Sequence, residues 1–168
     1  MIFGASLTAQ AARLLEACRA NDLKLATAES CTGGMLSGII TSIAGASDVF
    51  ETGFITYSDN AKIKLLGVPA ELIEAHGAVS EETARAMAEG TIDVTGAGIA
   101  LAVTGIAGPG GGSSEKPIGL VHIAAARRGS STLHRKLMLG DCGREEIRLK
   151  SVAEILTLGL AQAGTGAP

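Results

Sequence analysis

Leu25 to Met35 reads L-A-T-A-E-S-C-T-G-G-M. A short apolar run carrying Thr27 gives way to the polar cluster Glu29, Ser30, Cys31 and Thr32. Gly33 and Gly34 then open an amphipathic segment from Met35 to Ile43. This is the pattern of a strand, a tight turn and a helix start. Such a turn gathers hydroxyls and unpaired backbone N–H groups at a helix N-terminus, where negative charge is favoured. Ser30 stands at its mouth and is the candidate nucleophile. Thr32, Gly33 and Gly34 supply candidate backbone donors for a ligand.

Outward from this unit the chain keeps alternating. Leu7 to Asn21 has Ala11, Leu14, Leu15 and Cys18 on one helical face, and the first strand is expected over Lys24 to Ala28. After a small-residue turn at Ala44 to Ser47 come a strand, Gly53 to Tyr57, and a helix that Asp59 or Asn60 is expected to cap. Gly67, Val68 and Pro69 break that helix. Pro69 begins a short one ending near His76-Gly77, and Ser80 starts another that turns Ala84, Met87 and Ala88 inward. Gly98 to Val103 is wholly apolar, as a buried central strand is. Ile118 to Ala126 and Thr132 to Leu139 flank Arg128-Gly129 as a hairpin, Arg144 to Leu160 is a closing helix, and the Ala/Gly/Thr tail is expected to fray. These elements predict one domain over residues 1–168, a three-layer α/β/α sandwich with a mixed, mostly parallel sheet.

Composition narrows the function classes. No apolar run approaches the ~18 residues of a membrane span, and the N-terminus lacks a signal-peptide pattern, so the chain is expected to be cytoplasmic. Cys18, Cys31 and Cys142 are odd in number and far apart, which suits neither a disulfide framework nor a metal site. A net charge of −3, no Trp and a single Tyr argue against nucleic-acid binding, while a small anionic ligand remains compatible. No metal and no cofactor are expected.

Serine at its ordinary pKa needs a base. His122 lies within a strand, His134 among basic hairpin residues and His76 at a helix end, so packing and capping suit them better than a Ser-His-Asp triad. Lysine offers more. On the helix A-K-I-K-L-L-G, residues 61 to 67, the ~100° turn per residue puts Lys62 in the arc of Ile63, Leu65 and Leu66, and Lys64 opposite. Composition alone favours a Lys62 that snorkels to water. Its location, just after Tyr57 at a strand end where α/β sheets place ligands, favours a base. Lowering a lysine pKa from about 10.4 to about 7 means ~4–5 kcal/mol against the charged form, which an apolar helix face and the positive end of the helix after Gly33 are expected to supply. Tyr57 is a candidate to hydrogen-bond the amine or relay a proton, with packing as its plain alternative. Cys31 competes with Ser30, although a buried packing role suits it better.

A third part is T-G-I-A-G-P-G-G-G-S-S-E-K-P, residues 104 to 117. Thr104 and Gly105 end the apolar strand with bare backbone suited to an oxyanion or a planar ligand, and the loop beyond is long enough to close over one. Gly45, Ala46 and Ser47 form a weaker small-residue candidate, which is no P-loop because no Gly-Lys-Ser/Thr follows.

Four motifs in order, A-E-S-C-T-G-G from Ala28, G-F-I-T-Y-S-x-x-A-K from Gly53, H-G-A-V-S from His76 and T-G-I-A-G-P from Thr104, resemble the C-terminal domain family of competence/damage-inducible protein CinA and its stand-alone, PncC-like nicotinamide-nucleotide amidases. The resemblance covers nearly the whole chain. It implies hydrolysis of nicotinamide mononucleotide to nicotinate mononucleotide and ammonia, with Ser30 as nucleophile, Lys62 as base and Tyr57 beside them. It also implies no metal and a homo-oligomer, a dimer or larger. The nucleotide-binding N-terminal domain of full-length CinA is not among these residues, which favours the stand-alone form. One departure stands out: where the family shows G-D-R-x-x-[IV]-R, this chain reads G-D-C-G-R-E-E-I-R from Gly140, as though Cys142 and Gly143 were inserted before Arg144. Substrate phosphate is expected against helix-end N–H groups, with Arg144 and the Gly45–Ser47 turn as further contacts. The rival readings are a non-catalytic nucleotide-binding or regulatory domain, and an amidase for another small carboxamide.

Overall fold

The structure is a computed structural model and describes residues 3–164. Its elements are α1 (Ala5–Ala20), β1 (Leu25–Glu29), α2 (Met35–Thr41), a 3-10 turn (Ala46–Asp48), β2 (Phe50–Ile55), α3 (Asp59–Leu66), α4 (Ala70–His76), α5 (Glu81–Thr95), β3 (Ile99–Gly105), β4 (Leu120–Arg127), β5 (Leu133–Met138) and α6 (Arg144–Gly164). The five strands form one sheet in the order β2-β1-β3-β4-β5. β1 runs parallel to β2 and β3, whereas β4 and β5 add antiparallel. The expected three-layer α/β/α sandwich with a mixed sheet is the observed fold.

The two faces of the sheet differ in side-chain size, and β3 shows why. Ile99, Leu101 and Val103 point into the larger core with α1, α2 and α6. Ala100 and Ala102, joined by Ala28, Ala124 and Ala126, face the smaller core beneath α5, where Met87 and Ala88 pack. Alternate residues of a strand serve opposite faces, so a bulky face and an alanine face come from one apolar run. The alanine face lets α5 lie across β1, β3 and β4. From the carboxyl end of β1 the chain leaves through α2 toward β2, and from that of the adjacent β3 it leaves through the 106–119 connection toward β4, on the other side of the sheet order. That divergence opens the crevice in which α/β sheets hold ligands.

Several boundaries differ from expectation. β2 is Phe50–Ile55 rather than Gly53–Tyr57, since its register with β1 ends at the Glu29–Ile55 pair. Tyr57 therefore lies beyond the strand. Ser58, not Asp59 or Asn60, caps α3, its hydroxyl accepting the Ala61 N–H at 3.1 Å. On α3 Lys62 and Leu66 are buried and Lys64 exposed, as the helical arc predicts, but Leu65 is exposed. α6 continues past Leu160 to Gly164, and the remainder of the tail lies outside the described residues. Among the described residues no helix is long and apolar enough to cross a membrane.

Candidate active site

Ser30 follows directly on β1, held there by its N–H, which donates to Val103 O at 3.0 Å. Glu29, the last residue of β1, fixes what comes next. Its buried carboxylate accepts the N–H groups of Gly34 (3.0 Å), Leu36 (3.0 Å) and Ser37 (2.8 Å) and the Ser37 hydroxyl (2.6 Å). Those amides are the orphan donors of the α2 N-terminus, and the carboxylate satisfies them as a charged cap. The turn between needs glycine: Gly33 and Gly34 have φ of 58° and 94°, and a Cβ on Gly34 would lie 3.0 Å from Ile55 Cδ1.

Lys62 arrives from α3. Its side chain is only 1% exposed, and Nζ donates to Thr56 O at 3.0 Å and to Ser30 Oγ at 3.3 Å. Burial lowers the pKa of this amine, while Asp59, whose Oδ1 lies 3.9 Å away, opposes the shift. The cause is thus desolvation on the apolar side of α3 rather than the positive end of α2, which Glu29 already neutralises. An amine kept from water beside a serine hydroxyl is chemically a base for that hydroxyl.

A cavity of about 280 Å³ opens over the pair, near the small end of the range for small-molecule sites. Its walls come from Ser30 and Cys31, from Tyr57, Asp59 and Lys62, from Ala78 and Val79, from Thr104 to Gly108 with Gly110 and Gly111, and from Arg144. Ser30, Lys62, Tyr57, Thr104, Gly105 and Arg144 are therefore brought together. Tyr57 meets Arg144 rather than Lys62: Arg144 donates through Nη2 to the Tyr57 hydroxyl (2.9 Å) and through Nη1 to Gly108 O (2.8 Å). Gly143 (φ 94°) immediately precedes α6, its carbonyl accepting the Ile147 N–H, so Cys142 and Gly143 lie in the turn before the helix and Arg144 reaches the cavity.

Other expected ligand contacts are not in this site. Thr32, Gly33 and Gly34 form the turn beneath it. The Gly33 N–H donates to Ser30 O and the Gly34 N–H to Glu29, while Thr32 is buried with its carbonyl taken by Arg148 and the Met35 N–H. Gly45, Ala46 and Ser47 line a separate depression with Thr41, Ile43 and Phe50. They sit at the opposite end of β1, where Val49 O receives the Leu25 N–H and Gly45 O is held by Arg19.

No histidine lines the cavity. His122 and His134 instead stack on each other, Nδ1 to Nε2 at 2.9 Å, and burial and this neighbour push His122 down to about 4. Burial pushes the Cys31 thiol up to about 11, which leaves it protonated at neutral pH and a poorer nucleophile. Among the described residues no three metal-binding side chains cluster. Two lining groups were missed in the sequence. Asp59 was signalled by its i,i+3 spacing to Lys62, whereas Ala78 and Val79 carry no chemical signal beyond the motif around them.

Fold and site together define a doubly wound α/β domain with a buried serine–lysine pair at its switch point. Residues 7–162 match the CinA C-terminal domain, and the chain belongs to that family. It is 51% identical over 142 residues to a CinA-like protein of Akkermansia muciniphila, covering 84% of this chain and 34% of that protein. It is 50% identical over 139 residues to a putative competence-damage inducible protein of Moorella thermoacetica, covering 83% and 33% respectively. The chain thus spans about a third of the length of these relatives. Among solved structures, the competence/damage inducible protein CihA from Agrobacterium tumefaciens superposes with a TM-score of 0.92 at 46% identity, covering 95% of this chain and 96% of that one. A CinA superfamily protein from Escherichia coli gives 0.87 at 31% identity, with 95% and 92% covered.

Proposed function

We propose that this domain is a serine–lysine amidohydrolase that converts nicotinamide mononucleotide to nicotinate mononucleotide and ammonia. The observation that carries the reading is the 3.3 Å approach of Lys62 Nζ to Ser30 Oγ with the lysine side chain almost wholly buried. Neutral Lys62 takes the Ser30 proton as Oγ attacks the carboxamide carbon. The negative oxygen that forms meets backbone N–H groups at Cys31 and at the Thr104–Gly105 strand end, and losing one such donor typically costs about 10²–10³ in rate. The carbon–nitrogen bond then breaks, with the Lys62 proton leaving on ammonia. Water attacks the resulting acyl ester, giving its proton to Lys62, and the Ser30 hydroxyl is restored as the acid departs. Arg144 supplies positive charge at the cavity mouth for the phosphate. A homo-oligomer is part of this proposal, and static light scattering measures it.

The test is ammonia release from nicotinamide mononucleotide by Ser30→Ala and Cys31→Ala. We expect Ser30→Ala to lose at least about 10³-fold and Cys31→Ala to keep most activity; full activity in Ser30→Ala overturns the assignment. Lys62→Arg is expected to be nearly inactive, because a guanidinium does not deprotonate. A panel of carboxamides with and without phosphate separates this substrate from others. Calorimetric binding with no ammonia released marks the regulatory alternative.

A further inference from the structure

Two walls of the cavity are far apart in sequence and share no element. Ala78 and Val79 belong to the link between α4 and α5, whereas Ile106 to Gly111 begin the long connection from β3 to β4. Lys116, near the far end of that connection, reaches back across the gap. Its Nζ donates to His76 O at 2.6 Å and to Val79 O at 2.9 Å. His76 O ends α4, and helix carboxyl ends favour a cation. Gly77 makes the room, since a Cβ there would lie 2.8 Å from Nζ, at a φ of +80°. On the loop side Lys116 is held by its own backbone: its N–H donates to Ser113 Oγ at 3.0 Å, and the Ser113 N–H donates to Lys116 O at 2.8 Å. The Thr104 hydroxyl adds a second tie, to Ala78 O at 2.7 Å. Lys116 is half-buried, lines no part of the cavity and contacts neither Ser30 nor Lys62.

We propose that Lys116 is a positioning residue, which fixes the separation of the Ala78–Val79 and Ile106–Gly111 walls and thereby sets affinity for the carboxamide ligand without entering the Ser30–Lys62 chemistry. This rests on the amidase reading above. Methionine keeps the length of the stem and loses the donors, whereas arginine retains the charge and the donors. Ala78–Val79 and the loop beyond the Thr104–Gly105 donors contact parts of the ligand that do not change in the reaction, so losing their spacing raises KM and leaves kcat nearly unchanged.

The experiment compares Lys116→Met, Lys116→Arg and Ser113→Ala with the parent protein in ammonia release from nicotinamide mononucleotide. Calorimetry of the same compound on a Ser30→Ala background accompanies it, as does amide hydrogen exchange of the free proteins. For Lys116→Met we expect KM to rise about tenfold with kcat within about threefold. Binding should weaken in parallel, and exchange should be faster in both the 76–80 and the 105–112 segments. Lys116→Arg recovers most of the affinity, and Ser113→Ala, a milder change, shifts KM in the same direction. Unchanged KM and binding in Lys116→Met, or a fall in kcat alone, overturns the proposal. Should the parent neither bind nor hydrolyse the compound, the substrate reading fails by itself. Exchange then decides Lys116 separately: equal rates in both segments for parent and Lys116→Met overturn its role.

Discussion

At the scale of single residues the decisive property is the protonation of Lys62. Desolvation holds its pKa below the ordinary 10.5, and Asp59 holds it up. Since the neutral amine is the base, kcat/KM is expected to rise with pH through the Lys62 midpoint and level off above it, with that midpoint below 10.5. Removing the negative neighbour by Asp59→Asn makes the charged amine less favourable, so the rising limb should move to lower pH. A pH–rate profile of both proteins measures this; a limb that stays in place or moves upward excludes Lys62 as the titrating base. The side of α3 on which Lys62 falls was legible from the turn angle alone. Its pairing with Ser30 was named from the strand-end location and the family resemblance rather than from any local pattern, because nothing local couples position 62 to position 30. Tyr57 illustrates the limit, since its hydroxyl is taken by Arg144, a residue 87 positions along the chain.

Among the elements, the β1–α2 unit was readable as strand, turn and helix, but the destination of its polar groups was not. Sequence reasoning treated the α2 N-terminus as an open anion site, whereas Glu29 fills it with a side chain of the same unit. Whether a carboxylate folds back onto a helix or points into a cleft depends on φ and ψ at Gly33 and Gly34, which composition does not encode. Glu29→Gln should therefore destabilise the protein, because an amide nitrogen must face backbone donors and the charge-assisted bonds are lost. We expect about 2–3 kcal/mol in urea unfolding, together with lower activity as the Ser30 turn loosens. A change under about 0.5 kcal/mol would show that the cap is dispensable. The Gly45–Ser47 turn lies away from the Ser30–Lys62 cavity for a different reason: small residues mark tight turns at either end of a strand, and this one serves the opposite end of β1.

For the whole molecule, the alternation in β3 decides how closely the layers stack. Ala102 is fully buried under α5, on the face made almost wholly of alanine. Ala102→Leu should overpack that layer at about 1–3 kcal/mol, whereas Leu101→Ala should cost about 2–5 kcal/mol through the void left on the other face; urea midpoints of the two variants check both. Layer order was legible because apolar runs and helical periods survive in the sequence. Which side chains share the crevice was legible only through the family motifs, which named Ser30, Tyr57, Lys62, Thr104, Gly105 and Arg144, and not through local pattern, since it is closed by stretches centred near positions 30, 57, 78, 107 and 144. That scattered origin has a thermodynamic corollary. A molecule lodged in the crevice fastens five distant parts of the polypeptide at once and has no counterpart to bind in the unfolded chain. Saturation at a hundred times its dissociation constant would add about 2.7 kcal/mol to folding. The melting temperature is therefore a catalysis-independent gauge of occupancy, able to rank unfamiliar carboxamides before any turnover is seen.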